Sequence, residues 1–373
     1  MDRHIHIVTH EVPWPANYGG VMSLFYKIKA LHEIGYKIHL HCFTSKPNQE
    51  SILNTYCYSV DFYKRNKNPF YLILSLPYIV YSRRSKKLLQ NLEKDEYPIL
   101  FEGTHCTYWL YKNKLKQRTT IVSLHNIEFE YYNSLSKLEH NIFRKSYYYI
   151  ESKLLYSYEK NIATKSKFWA VNKVDANHFN KTFKTENADF FPVFVPWNMI
   201  KSENGFGNYC FYHANLEIIE NEKAALWLLD NIFSTLKIPF VIAGRNPSES
   251  LKIAAHKHQH TCIVENPSEY EMDDLIKKAQ INIIPSFNNT GVKFKLLNAL
   301  FNGRHCVVNS QAVEGSGAEN LCVVCNHVDE FINNIKKYYA APFENTEKIK
   351  RENLLLELYN NKKNAFLIDE NLQ

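Results

Sequence analysis

The chain has 373 residues, 45% of them hydrophobic, and a formal net charge of +7; that length favours two domains over one, each able to build a core. No apolar run approaches the roughly 18 residues that a transmembrane helix needs, and the first residues, MDRHIHIVTH, read as a strand entering the fold, not as a signal peptide. The positive balance allows nucleotides, anionic lipid or nucleic acid as partners, but the bases are spread through the chain and no nucleic-acid recognition module appears among them.

Residues 5–9 are a short β-rich run. They lead through EVPWPANYGG into a helix spaced over 21–34, with Leu24, Ile28 and Leu31 on one face and Gly35 at its end. Residues 36–43, YKIHLHCF, alternate as a second strand. This is a βαβ opening with Gly19 and Gly20 at the helix entrance. Small residues there let backbone amides approach a phosphate or a sugar. The three-glycine dinucleotide fingerprint is absent, and a plain tight turn is the alternative.

Residues 69–81, PFYLILSLPYIVY from Pro69 to Tyr81, are almost wholly apolar. Lys64, Arg65 and Lys67 precede them, and Arg83, Arg84, Lys86 and Lys87 follow. The run is too short to span a bilayer, and Pro77 interrupts it. It fits either a strip at a membrane interface or a pair of core helices with a solvated basic end.

Residues 99–101 read as a buried strand that ends in Glu102-Gly103. Ligands bind at the carboxyl ends of strands in an α/β sheet, so Glu102 is a candidate for the acceptor or sugar side, with helix capping or local pairing as the alternative. Residues 120–124 are a strand running into His125-Asn126-Ile127-Glu128, and His125 stands where a ligand would meet it. The long stretch 131–163 is helical and rich in Tyr and Lys; its spacing is not heptad-strict, so packing on the first sheet is expected over a coiled coil. A strand at 168–171 and a helix from 175 follow. FFPVFVPW, residues 190–197, reads as the last strand and hinge of the first domain, and 201–208 as a polar linker.

The second half restarts the α/β pattern. Strands are expected at 209–213, 240–243 and 262–264, and helices at 221–236 and 272–279. The second of these strands ends in Gly244-Arg245; the arginine fork suits phosphate by paired charge-assisted bonds. A strand at 321–325, a helix at 328–339 and a helical tail at 352–368 close the chain. Cys322 and Cys325, the single CxxC pair among eight cysteines, have no second pair and flank Val-Val, so they read as a buried strand and not a zinc knuckle. Free thiols in a reducing cytoplasm are the expectation.

Residues 285–309, PSFNNTGVKFKLLNALFNGRHCVVN, read as strand end, loop, helix, turn and strand. A loop that opens a helix after a parallel strand offers free N–H groups and the positive end of the helix dipole, a natural anion site. Lys293 and Lys295 stand in the first turn, where the dipole disfavours cations, which points to an anionic ligand such as a diphosphate. An ordinary surface helix with two solvated lysines is the alternative.

This segment resembles the donor-binding signature of retaining glycosyltransferases of family 4, which have the GT-B fold. Gly291, Ala299, Gly303 and Val307-Val308 match the pattern. Its two acids do not appear: Thr290 and Asn298 stand in their places, and His213 stands where the family has Gly or Ser. The resemblance implies that Asn298 takes over from a ribose-binding acid, and its amide can both donate to and accept from a diol. The loop with Lys293 and Lys295 resembles a branch with a Gly-x-Lys-x-Lys helix start. Residues 13–31 resemble the family's Gly-Gly loop, which faces the donor diphosphate and sugar. His125, followed by Asn126, Glu128 and Tyr131-Tyr132, resembles the histidine that contacts the transferred sugar.

The expectation is therefore an α/β chain of two Rossmann-like domains facing across a cleft. Residues 1–197 would form the acceptor-side domain, 198–350 the nucleotide-sugar donor domain, and 351–373 a C-terminal helix returning to the first. The resemblance implies a transferase that moves a sugar, with retention, from a nucleoside diphosphate, UDP- or GDP-linked, to a hydroxyl of a glycan or lipid-linked acceptor. His125 would hold the sugar. Gly19, Gly20, Arg245, Thr290, Gly291, Lys293, Lys295 and Asn298 would bind the donor. No cofactor and no metal are called for, since no carboxylate pair has DxD spacing in a suitable loop. The expected location is cytoplasmic, with peripheral membrane contact through Pro69 to Tyr81 as a further possibility. The alternative is a non-catalytic GT-B protein that binds a nucleotide or glycan as partner of an active transferase.

Overall fold

The computed structural model describes residues 3–16, 18–44, 51–67, 75–287 and 291–372. The chain divides into two compact units: Met1–Pro196 together with Tyr359–Gln373, and Trp197–Leu358.

The first unit is built on a seven-stranded sheet in the order β3-β2-β1-β4-β5-β6-β7. Its strands are β1 (Arg3–Thr9), β2 (Tyr36–Phe43), β3 (Ser59–Tyr63), β4 (Ile99–Glu102), β5 (Thr120–Leu124), β6 (Lys167–Ala170) and β7 (Ala188–Phe190). All neighbours run parallel, so both faces are covered and the strands are apolar. Ile5, Ile7, Leu40 and Ile121 pack on one face, and Phe101, Val122 and Phe168 on the other. On that second face β1 and β2 carry imidazoles in place of aliphatics. His6 Nδ1 meets His41 Nε2 at 2.8 Å, His6 Nε2 meets Asp95 at 2.9 Å, and His41 Nδ1 meets the Tyr63 hydroxyl at 2.8 Å. Burial brings His6 down to about 4 and His41 to about 3, so both are neutral.

The stretch 131–163 is not one helix but an antiparallel hairpin, Glu128–Leu138 and Ile142–Ile162. Glu139 breaks it with extended φ and ψ of −77° and 131°. Asn141 restarts it, its side chain accepting from Phe143 and Arg144 N–H at 3.1 and 3.2 Å. Ser152 Oγ donates to Phe129 O at 2.7 Å across the hairpin.

Of the run 69–81, residues 69–74 lie outside the described residues. The rest does not form a membrane strip: Leu76, Ile79, Val80 and Tyr81 are buried in the core. Arg83 of its basic flank is buried too, donating to Ile79 O at 2.7 Å. The expected last strand at 190–197 stops at Phe190, because Pro192 and Pro196 remove ladder donors.

The second unit has a six-stranded sheet, in the order β10-β9-β8-β11-β12-β13. Its strands are β8 (Cys210–Asn215), β9 (Phe240–Arg245), β10 (Thr261–Glu265), β11 (Ile281–Ile284), β12 (His305–Val308) and β13 (Val323–Val324), again parallel throughout. The helix Ile219–Leu228 runs on through one π-helical turn, Leu229–Phe233.

The tail divides later than residue 351. Helix Asn345–Leu358 stays with the second unit and Asn361–Leu372 joins the first. Arg351 explains the difference: it is 3% exposed and donates to Leu300 O, Gly303 O and Ser202 Oγ at 3.0, 2.7 and 3.0 Å. Asp369 holds the last helix to the first unit, accepting from the Tyr36 hydroxyl at 2.7 Å and pairing with Arg3 at 3.1 Å. Among the described residues no helix is long and apolar enough to cross a membrane.

Candidate functional site

The candidate residues fall on the carboxyl edges of the two sheets. In the first unit, β4 ends at Glu102, and its side chain is fully buried. Lys27, from the helix Gly19–Glu33, reaches it with Nζ 2.5 Å from Oε1. Lys27 also donates to Ser123 Oγ at 3.3 Å. His125, the first residue after β5, places Nε2 3.1 Å from the other oxygen of Glu102. Burial alone would raise the Glu102 carboxyl; the charge of Lys27, then the hydrogen bond and charge of His125, outweigh it and hold the group at about 2. Glu102 is thus an enclosed carboxylate with both oxygens engaged. It cannot serve as the acceptor-side group that its strand-end position predicts. It orients His125 instead, and with Nε2 committed the nitrogen left for a ligand is Nδ1.

Three further residues belong to this edge and were missed. His10 follows β1 as His125 follows β5, and it meets Glu102 O at 3.2 Å through Nδ1. His105 stacks on His10 with ring centroids 4.6 Å apart. Gly103 makes room for that stack: its φ is +86°, and a Cβ there would lie 3.0 Å from His105 Nδ1. Glu128 is 5% exposed, with Oε1 3.9 Å from His105 Nδ1. Burial and then the neighbouring Glu159 push Glu128 up to about 8, so it is protonated at neutral pH. Burial likewise raises Glu159 to about 7, although it accepts from Phe129 N–H at 3.2 Å and Thr104 Oγ1 at 3.1 Å. The strand-end rule that picks out His125 applies equally to His10. Nothing local marks Lys27, whose partner is distant in sequence.

Gly19 and Gly20 form the first helical turn and not a loop before it. Tyr18 at the N-cap has extended backbone, gives no side-chain cap, and no acid follows in the first turn. The first N–H groups of this helix therefore have no intrahelical acceptor. A Cβ on Gly20 would meet only Tyr18, at 3.6 Å.

In the second unit, Gly291 takes a left-handed φ of 64°, and Lys293 is the N-cap of the helix Phe294–Asn302. That first turn also lacks a side-chain cap and an acid. Thr290 lies outside the described residues. Lys295 Nζ donates to Asn221 Oδ1 at 3.1 Å and the Tyr212 hydroxyl at 3.4 Å, and stands 5.1 Å from the centroid of the Tyr212 ring. All of these partners are neutral. Burial, then the charge of Lys293, lowers Lys295 to about 7. His213 is 6% exposed, and its Nε2 is buried without a hydrogen-bond partner among the described residues. Burial, then the Lys295 charge, brings His213 to about 3. Asn298 accepts from Asn302 Nδ2 at 2.6 Å, which uses one of the two acceptor positions of its oxygen. Arg245 is exposed at the end of β9. Among the described residues it does not join the hydrogen bonds around Lys295. The second unit thus brings Gly291, Lys293, Lys295 and His213 together, with Arg245 one strand further out.

No family model matches this sequence. An uncharacterised 44.6 kDa protein in the cps region of Klebsiella pneumoniae is 26% identical over 353 residues, covering 89% of this chain and 90% of that one. Among solved structures, sucrose-phosphate synthase from Thermosynechococcus elongatus matches with a TM-score of 0.72 at 11% identity, over 99% of this chain and 98% of that one. TarM of S. aureus, solved in complex with UDP, matches at 0.66 and 10% identity, over the whole of both chains. At such identities the fold is what is shared: two parallel-sheet α/β domains, each Rossmann-like, as in GT-B glycosyltransferases.

Proposed function

We propose that this protein is a glycosyltransferase resembling retaining family 4. It transfers a sugar from a nucleoside-diphosphate sugar to a hydroxyl of a glycan or lipid-linked acceptor. The observation that carries the reading is Lys295. An ammonium sunk among neutral partners at an acid-free helix entrance is poised for an anion, and a diphosphate fits. In the reaction negative charge grows on the departing diphosphate. Lys293, Lys295, Arg245, Thr290 and the N–H groups at Gly291 would meet it with prearranged charge and dipoles. We assign Gly19 and Gly20 to the diphosphate and sugar, Asn298 to the ribose, and His125 to the transferred sugar. Lys27 and Glu102 position His125 and do not touch the substrate. The lysines supply the positive charge locally, so the transfer is read as metal-independent. Retention, by attack on the face that the diphosphate leaves, needs no carboxylate nucleophile. UDP or GDP is the expected donor nucleotide, and TarM's complex with UDP supports the first.

The test is a thermal-shift and calorimetric panel of UDP, GDP, ADP and dTDP on the wild type, Lys295→Ala and Asn298→Ala. One nucleotide should raise the melting temperature by mass action, and Lys295→Ala should abolish the effect. No response to any nucleotide at millimolar concentration sinks the donor-site reading. Asn298 also supports a second reading, a non-catalytic GT-B protein, because Asn302 takes one of the two acceptor positions of its oxygen. Nucleotide binding without turnover of any nucleotide sugar would select that reading.

A further inference from the structure

The long hairpin helix Ile142–Ile162 has four basic residues, Arg144, Lys145, Lys153 and Lys160, and two acids, Glu151 and Glu159. Both acids point into the unit, at 1% and 0% exposed. Glu151 accepts from Ile79 N–H at 3.0 Å, and Glu159 caps the first hairpin helix as described above. All four bases are exposed. The outer surface of this helix is therefore purely cationic. Its residues are also ordered. Ile142, Lys145, Tyr149, Lys153, Tyr156 and Lys160 succeed one another at steps of three or four and share one face. Every one of them is exposed. Apolar or aromatic side chains alternate with ammonium groups over roughly 27 Å of helix, and Lys153 sits 5.3 Å from the centroid of the Tyr149 ring. At the hairpin turn three large apolar side chains stand in water: Leu138 is 50% exposed, Ile142 68% and Phe143 83%. Their sequence neighbours Lys137, Arg144 and Lys145 outnumber the one acid of the turn, Glu139, whose Oε1 accepts from Asn141 N–H at 2.9 Å. Scattered apolar residues need no explanation, but a group at one protruding turn does.

We propose that this face docks on an anionic phospholipid surface. Leu138, Ile142 and Phe143 enter the boundary of the acyl chains, and the lysine and tyrosine stripe lies among the headgroups. A second copy of the chain is a poor occupant, because a two-fold contact would set one cationic face against another. Nucleic acid would use the cations but gains nothing from aliphatic side chains at the turn. The proposal stands apart from the donor site, and its test uses no nucleotide.

The full chain is mixed with vesicles of phosphatidylcholine alone, or with about a third phosphatidylglycerol, and floated on a density gradient. Binding is expected only to the anionic vesicles, weakening as salt rises. Lys145→Glu with Lys153→Glu should abolish it, each lysine contributing about fivefold in partitioning. Ile142→Ser with Phe143→Ser should weaken it at unchanged salt dependence. All four sites are exposed, and nucleotide-induced thermal shifts should be the same in every variant. Three results overturn the proposal. One is no binding to anionic vesicles. Another is vesicle binding indifferent to both double variants. The third is loss, in those variants, of self-association or of RNA binding that the wild type shows without vesicle binding.

Discussion

At the edge of the first sheet the buried Lys27 has a carboxylate 2.5 Å away, and that carboxylate also holds His125 at 3.1 Å. At the helix entrance of the second unit, Lys295 has, among the described residues, Asn221 and Tyr212 as its side-chain hydrogen-bond partners, at 3.1 and 3.4 Å. The first arrangement satisfies its own charges and so fixes a geometry. The second gives its cation only neutral hydrogen-bond partners among the described residues, which under the proposed function keeps an affinity in reserve. Removing a partner from the first should damage the fold; removing the cation from the second should spare the fold and damage binding.

The largest expected effect follows from Glu102→Ala, which strands Lys27 in the core. Loss of one partner of a buried pair costs about 3–5 kcal/mol, read as a lower urea midpoint. Adding Lys27→Met should recover much of that loss. A single variant as stable as the wild type would erase the contrast between the two edges.

The next effect comes from the proton on Glu128. Its folded pKa of about 8 lies above the ordinary 4.5, so its contribution is full below 4.5 and is lost as pH rises through 8. Between pH 6.5 and 8 the wild type should lose about 2 kcal/mol of stability on this account, whereas Glu128→Gln should lose none of it. The buried His6 and His41 act with the opposite sign, their folded values lying below the ordinary 6.5. Glu159, raised to about 7, and Lys295, lowered to about 7, also titrate in this window, so the Glu128 contribution is read as the difference between wild type and Glu128→Gln at each pH. Urea curves at the two pH values decide the matter.

Lys295 should sharpen the other side of the comparison. With its pKa near 7 in the free protein, binding of a diphosphate takes up a proton above neutrality. Affinity should then fall by up to about tenfold per pH unit above 7, and Lys295→Arg should flatten the profile. A wild-type profile already flat between pH 7 and 8.5, measured by calorimetry, would falsify an ammonium at this contact.

The smallest effect on the fold is expected at Gly20→Ala. The new methyl meets only Tyr18, at 3.6 Å, so stability should be unchanged or higher by up to about 1 kcal/mol. Weaker binding of the donor sugar by this variant, at full stability, would mark Gly20 as a place where backbone and ligand meet. Unchanged binding would remove it from the site.

Strands with dense apolar runs were legible from sequence. The strand at 120–124, the helix at 328–339 and the helix around Leu297 stand where their spacing places them. Short or weakly patterned elements were not: Ser59–Tyr63 reads SVDFY, with too little alternation to declare itself. The break at Glu139 was hidden because the residues on both sides keep helical spacing. The site was half legible. Strand ends marked Glu102 and His125, and loop chemistry marked Lys293 and Lys295. The role of Glu102 was out of reach, because Lys27 stands 75 residues away and only the assembled sheet brings the two together. Arg351 is the same lesson: a charged residue in a helical tail reads as solvated until the carbonyls it serves are known.

The path of the chain through the two units has a consequence for synthesis. The second unit is one uninterrupted stretch, whereas the first needs Asn361–Leu372 to complete it, with Asp369 held by Arg3 and Tyr36. On the ribosome the second unit can close while the first still lacks its final helix. The strands of the first unit therefore wait, through the making of the whole second unit, for the helix that packs on them. A stop codon placed just before Asn361 would wound the first unit, although every strand of its sheet had been made, and leave the second whole.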